Sequence, residues 1–177
     1  MNARSALVVA ALLGVLLPVA PAASAEPAPR ADVSPQDREY LNRTHQDNLF
    51  ETVAGNLADR GSCARVRELG REFVAHHTEL DAELIAVAAQ EAVTLYSVPD
   101  PGQLAQIADL AVRSGPDFDA AWLRDQIAAH LQAIALGERE TRYGWSPEVK
   151  ALADRSAPVL RHHLQEAVTA LGTCTPG

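Results

Sequence analysis

Apolar residues along most of this chain recur every three or four positions, the period of a helix with one face turned to a core. Val66, Leu69, Phe73, Leu80, Leu84 and Val87 form one such stripe, and Leu123, Ile127, Leu131 and Ile134 a second. Val149, Leu152, Leu160, Ala167 and Leu171 form a third, and Phe50, Val53, Ala54 and Leu57 a shorter fourth. No run alternates with the period of two that a strand requires.

Capping residues divide these stripes into elements. Ser34-Pro35 places an N-cap before a proline at the first helical position, predicting a helix to about Asp59 that Gly61 stops. Ser62 then caps a second helix reaching about Glu91. Asp100-Pro101 with Gln103 has the form of a capping box and opens a short helix to about Arg113, which Ser114-Gly115-Pro116 breaks. A third long helix is expected from Asp117 to Tyr143, ended by Gly144. Ser146-Pro147 starts a fourth, to about Leu171, with Pro158 inside it as an expected kink.

Four long amphipathic helices in one small domain predict an all-α four-helix bundle, with two topologies to choose between. Helices one and two, and three and four, are joined by only a few residues, whereas about 25 residues separate helix two from helix three. Antiparallel neighbours need no such length. The economical reading is a four-helix bundle in which that segment, short helix included, crosses the height of the bundle.

Upstream of the helices, Arg4 and the apolar run Ala6 to Leu17 precede Ala23-Ser24-Ala25, the arrangement of a cleavable signal peptide covering residues 1–25. The run is too short to span a bilayer, so no stable membrane insertion is expected after cleavage near Ala25. Residues 26–34, rich in Pro and Ala, read as a disordered leash, leaving residues 35–177 as the bundle domain. The expected location is secreted or extracytoplasmic, in the cell envelope.

Charge and cysteine usage sharpen this picture. The formal net charge is −8, with 15 Lys plus Arg against 23 Asp plus Glu, which disfavours nucleic acid and anionic lipid as partners and leaves a protein or envelope component. An exported chain matures where thiols oxidise, so its two cysteines, Cys63 and Cys174, are expected to form one disulfide. In the crossover topology both lie at the same end, whereas the simple up-down order would hold them a bundle length apart.

Six histidines carry the chemistry: His45, His76, His77, His130, His162 and His163. At about 100° per residue, His77, His130 and His163 each fall in the middle of an apolar stripe, one on each of three helices. Glu51 sits beside the stripe of helix one, and His45, His76 and His162 fall off-centre. Counted along the crossover bundle, the four inward side chains reach similar depth. Imidazoles and a carboxylate converging from four helices form a ligand set for one Zn, Mn, Fe or Cu ion. The same residues also suit a structural polar network or an acid/base site.

Asn48-Leu49-Phe50-Glu51 with Gly55-Asn56-Leu57-Ala58, Phe73-Val74-Ala75-His76-His77, Phe118-Asp119 with His130, and Pro158-Val159-Leu160-Arg161-His162-His163-Leu164 together resemble one family. This is domain-of-unknown-function family 4142, exported bacterial domains often labelled outer-membrane proteins and placed among ferritin-like folds. The resemblance spans about Gln36 to Leu171 and implies a buried cluster of Glu51, His77, His130 and His163. His76 stands where the family usually has an acidic residue, which leaves that position without its carboxylate. The label fails physically, since neither a β-barrel pattern nor a lipobox is present.

Ferritin-like di-iron chemistry wants Glu from two helices and Glu-x-x-His from the other two, and this chain has neither such motif. A ferroxidase is therefore disfavoured, and no catalytic residue is assigned. The leading expectation is an exported ferritin-like bundle binding one transition metal. The alternative is a non-catalytic envelope or stress-associated interaction module whose Glu/His cluster is only structural.

Overall fold

Five α-helices and one 3-10 turn make up the computed structural model, which describes residues 33–175. The expected signal peptide, residues 1–25, and nearly all of the expected leash lie outside the described residues. The helices are α1 (Pro35–Asn56), α2 (Ala64–Gln90), α3 (Pro101–Val112), α4 (Gly115–Tyr143) and α5 (Pro147–Cys174). No strand occurs among the described residues.

Local capping explains most of the helix starts. Ser34 Oγ accepts the amide of Asp37 at 3.1 Å while Asp37 Oδ2 accepts the amide of Ser34 at 2.6 Å, so Ser34 is the buried N-cap of α1. Asp100 and Gln103 make the equivalent reciprocal pair at α3. Ser146 Oγ accepts the amide of Val149 at 3.2 Å to open α5.

Several expected boundaries shift. The chain after Asn56 tightens into a 3-10 turn over Leu57–Arg60, so the α-helical part of α1 ends before Asp59. Ser62 does not cap α2. Asp119 Oδ2, on α4, instead accepts from Ser62 N at 3.1 Å, Cys63 N at 2.9 Å and Ser62 Oγ at 2.6 Å. Ser114-Gly115-Pro116 separates α3 from α4 as expected but also opens α4, two residues before Asp117: Gly115 takes φ +61°, open to glycine without strain, and Pro116 occupies the first turn. Further on, α5 passes through Pro158 and continues beyond Leu171 to Cys174.

Helix α1 packs along α2, and α4 along α5; α2 also lies against α5 and α1 against α4, while α3 rests on α1 and α4. The α1/α2 contact is close because two glycines face each other: a Cβ on Gly70 would stand 2.2 Å from Ala58 Cβ and 2.7 Å from Gly55 O. One end of the domain carries the Cys63–Cys174 disulfide, with Cα atoms 5.7 Å apart. The other end gathers the starts of α1 and α5: Asp37 Oδ1 accepts from Trp145 N at 3.0 Å and from Ser146 N at 3.2 Å. Glu91, just beyond α2, accepts Ser146 Oγ there at 2.9 Å, and Glu140 near the end of α4 accepts Gln36 Nε2 at 3.1 Å.

The apolar core has two parts. Phe50, Leu69, Phe73, Phe118, Trp122 and Leu123 anchor one, and Tyr40, Leu41, Leu84, Val149 and Leu152 the other. Val53 and Leu131, expected inside, are 41% and 54% exposed. Integer spacing drifts around a helix of 3.6 residues per turn, so Tyr40 and Leu41 on α1 and Trp122 on α4 fill the core in their place. No helix among the described residues is long and apolar enough to cross a membrane.

Candidate metal centre

Between the two apolar clusters lies a polar layer built from α1, α2, α4 and α5. His77 of α2, His130 of α4 and His163 of α5 are each at most 2% exposed. Their ring centroids stand 5.4 Å (His77 to His130), 5.3 Å (His77 to His163) and 5.2 Å (His130 to His163) apart. One ring nitrogen from each lies within 4.8 Å of the other two. The three histidines read as inward from helical phase therefore meet.

The nitrogen separations are informative. His77 Nε2 is 3.4 Å from His130 Nε2, and His130 Nε2 is 3.2 Å from His163 Nδ1. Two nitrogens bound tetrahedrally to one ion at about 2.05 Å stand about 3.3 Å apart.

The outer nitrogens fix the tautomers of two rings. Asn48 Nδ2 donates to Asp81 Oδ1 at 3.3 Å, which turns Asn48 Oδ1 toward His77 Nδ1 at 2.9 Å. His77 therefore carries its proton on Nδ1 and presents the Nε2 lone pair inward. His130 Nδ1 donates to the carbonyl of Gln126 at 2.8 Å, one helical turn back, so its Nε2 is also a lone pair. Phe73 stacks on His163 at 4.1 Å and holds the third ring in place.

Burial keeps all three rings neutral, the form that binds metal. It pushes His77 well below the ordinary imidazole range, with His130, His163 and His76 adding to the effect. Burial likewise lowers His130 to about 4, against a small opposing contribution from the Gln126 carbonyl. His163 falls to about 3, again chiefly by burial, with His130, His76 and His162 contributing.

Glu51 does not join the three ligand nitrogens. It is 2% exposed, and its Oε1 lies 3.8 Å from His130 Nδ1, the nitrogen on the far side of that ring. Burial raises its carboxyl well above the ordinary range. It thus stands behind His130, on the side away from the three converging nitrogens.

The off-centre histidines are not idle. His45 is buried, with Nδ1 2.7 Å from Asp81 Oδ1, and it braces the carboxylate that orients Asn48. His76 Nδ1 lies 2.8 Å from His163 Nε2, with the two rings 7° from parallel. His162 is exposed and its Nε2 approaches Glu72 Oε1 at 3.3 Å. Asn48, Gln126 and His76 were missed as site residues. Asn48 precedes Glu51 by three and Gln126 precedes His130 by four, so one turn of helix from each chosen residue would have found both.

Comparison with known proteins agrees with the fold. The family model described as "Domain of unknown function (DUF4142)" matches residues 22–170. No curated protein matches this chain. Among solved structures, a DUF305 fragment from Deinococcus radiodurans is similar, with a TM-score of 0.69 and 19% identity over 82% of this chain and 99% of that one. At that identity the likeness is one of fold.

Proposed function

The chain belongs to the DUF4142 family, whose description assigns no activity, and from its own site we propose that it binds one transition-metal ion through His77, His130 and His163. Glu51 and Asn48 act behind the ligands, steadying His130 and His77. Three imidazoles leave a fourth position for water or a small ligand. Neutral imidazole favours Zn, Cu or Fe over Mg or Ca.

The observation that carries the reading is the facing pair of His77 and His130. With both outer nitrogens protonated, two Nε2 lone pairs confront each other at 3.4 Å in the buried layer between the two apolar clusters. A cation between them removes that repulsion and satisfies both acceptors.

The same proposal takes the domain as a ferritin-like four-helix bundle of α1, α2, α4 and α5. In that arrangement the segment from Glu91 to Ser114, with α3 in it, crosses from one end to the other. Supporting this are the contacts of α1's start with α5's start, and of Cys63 with Cys174 at the opposite end. We place the protein outside the cytoplasm, after removal of residues 1–25, because the disulfide needs an oxidising compartment. A binding role fits better than di-iron oxidation, whose Glu-x-x-His motifs are missing.

A second reading, an interaction module with a purely structural polar layer, draws support from the partners that each ring already has. His163 can donate from Nδ1 to His130 and accept at Nε2 from His76. It still leaves His77 Nε2 facing a lone pair.

Untagged protein separates the two. Elemental analysis is expected to find metal, Zn, Cu or Fe should raise the melting temperature by mass action, and His77→Ala should abolish the shift. Protein expressed into an oxidising compartment that holds no metal and shows no shift with Zn, Mn, Fe or Cu would establish the structural network.

A further inference from the structure

His163 has a second polar neighbourhood on the side away from His77 and His130. Its Nε2 faces His76 Nδ1 at 2.8 Å, and one ligand atom each from Glu72, His76 and His163 lie within 4.8 Å of one another. Glu72 and His76 are four residues apart on α2 and share one helical face. Both are half-buried, at the edge of the domain and within reach of solvent. His162 Nε2 lies 3.3 Å from Glu72 Oε1 and is exposed, placing a further imidazole at the rim.

We propose that Glu72, His76 and His163 Nε2 form a second metal site, of two imidazoles and one carboxylate, joined to the buried site through the ring of His163. The ligand set is one that Zn(II) and Cu(II) accept. The half-exposed side chains give it access to ions that the buried layer lacks. In the structure the His76–His163 pair is closed by a hydrogen bond. An ion replaces that bond, with the two nitrogens parting to about 3.3 Å as the ring of His76 swings outward.

Bridging has a definite proton balance. With Nδ1 bound to the inner ion, His163 keeps its one N–H at Nε2. Binding the outer ion breaks that N–H bond, forms the Nε2–metal bond and releases one proton to solvent. His163 becomes an imidazolate shared by two cations, whose charge stabilises the deprotonated ring. The inference adds to the reading of the buried site and depends on it only for the bridge.

Metal stoichiometry tests it. Protein purified without a His-tag and stripped by chelator is titrated with Zn(II), desalted and assayed for metal per chain, alongside Glu72→Gln/His76→Gln. The parent is expected to take two ions and the double variant one. Two ions in both proteins, or one in both, would overturn the outer site while leaving the buried one standing. One ion in the parent and none in the variant would keep the outer site and sink the buried one. No ion in the parent would overturn both. Loading with Cu(II) reads the bridge: spin coupling between two ions is expected in the parent and absent from the double variant, and two uncoupled signals in the parent would refute it.

Discussion

His77 Nε2 and His130 Nε2 face each other at 3.4 Å while each ring spends its only proton on an acceptor behind it, Asn48 for one and the Gln126 carbonyl for the other. Two inward lone pairs thereby face each other across the layer. Under the proposed function, how strongly a cation binds between them depends on how firmly the outer partners hold the tautomers.

Asn48→Ala should therefore weaken metal binding by about 10- to 100-fold, the usual effect of losing a partner that orients a ligating histidine. Competition against a chromophoric chelator measures this, with circular dichroism confirming the fold. Unchanged affinity would mean that His77 is not a ligand.

Acid should destabilise the metal-free protein through the same histidines. Burial places His130 at about 4 and His163 at about 3, below the ordinary 6.5. Groups with lowered values contribute fully above 6.5, and that contribution is lost as pH falls toward 4 and 3. The melting temperature should drop steeply over this window, and bound metal should shift the drop to lower pH because ions compete with protons for the rings.

Glu140 predicts the opposite slope at higher pH. Burial, with contact to Asp37, raises its carboxyl to about 7 from 4.5. A raised value stabilises fully below 4.5, and the contribution is lost as pH rises through 7. Glu140→Gln keeps a donor for Asp37 and cannot ionise. Its melting temperature should change less between pH 6 and pH 8.5 than that of the parent, and equal slopes would refute the assignment.

Reducing the Cys63–Cys174 bond should cost a few kcal/mol, since it closes a loop with a sequence separation of 111 residues. Urea unfolding of Cys63→Ser/Cys174→Ser against the parent reads this as a lower midpoint. Intact mass of the parent should show the loss of two hydrogens, and two free thiols would contradict the pairing.

What the sequence determined by itself was local or periodic. The 3.6-residue stripes and the Ser-Pro and Asp-Pro caps are written within a few residues of where they act, which is why five helices and most of their starts were legible. Helical phase likewise turned His77, His130 and His163 inward, and the even pair of cysteines behind an export-like N-terminal pattern announced their bond.

Tertiary structure decided what depends on how helices roll and slide against one another. Asp119, from another helix, holds the amides of Ser62 and Cys63 just ahead of α2, where Ser62 was expected to cap. Glu51 had the right phase and depth for a ligand, yet stands behind His130, because a roll of a few degrees moves a long side chain from one face of an imidazole to the other. For His77 and His130, which nitrogen points inward was set by Asn48 and by the Gln126 carbonyl. A one-dimensional pattern gives a residue's direction to within about a quarter turn, whereas a ligand set requires its atoms placed to about half an ångström.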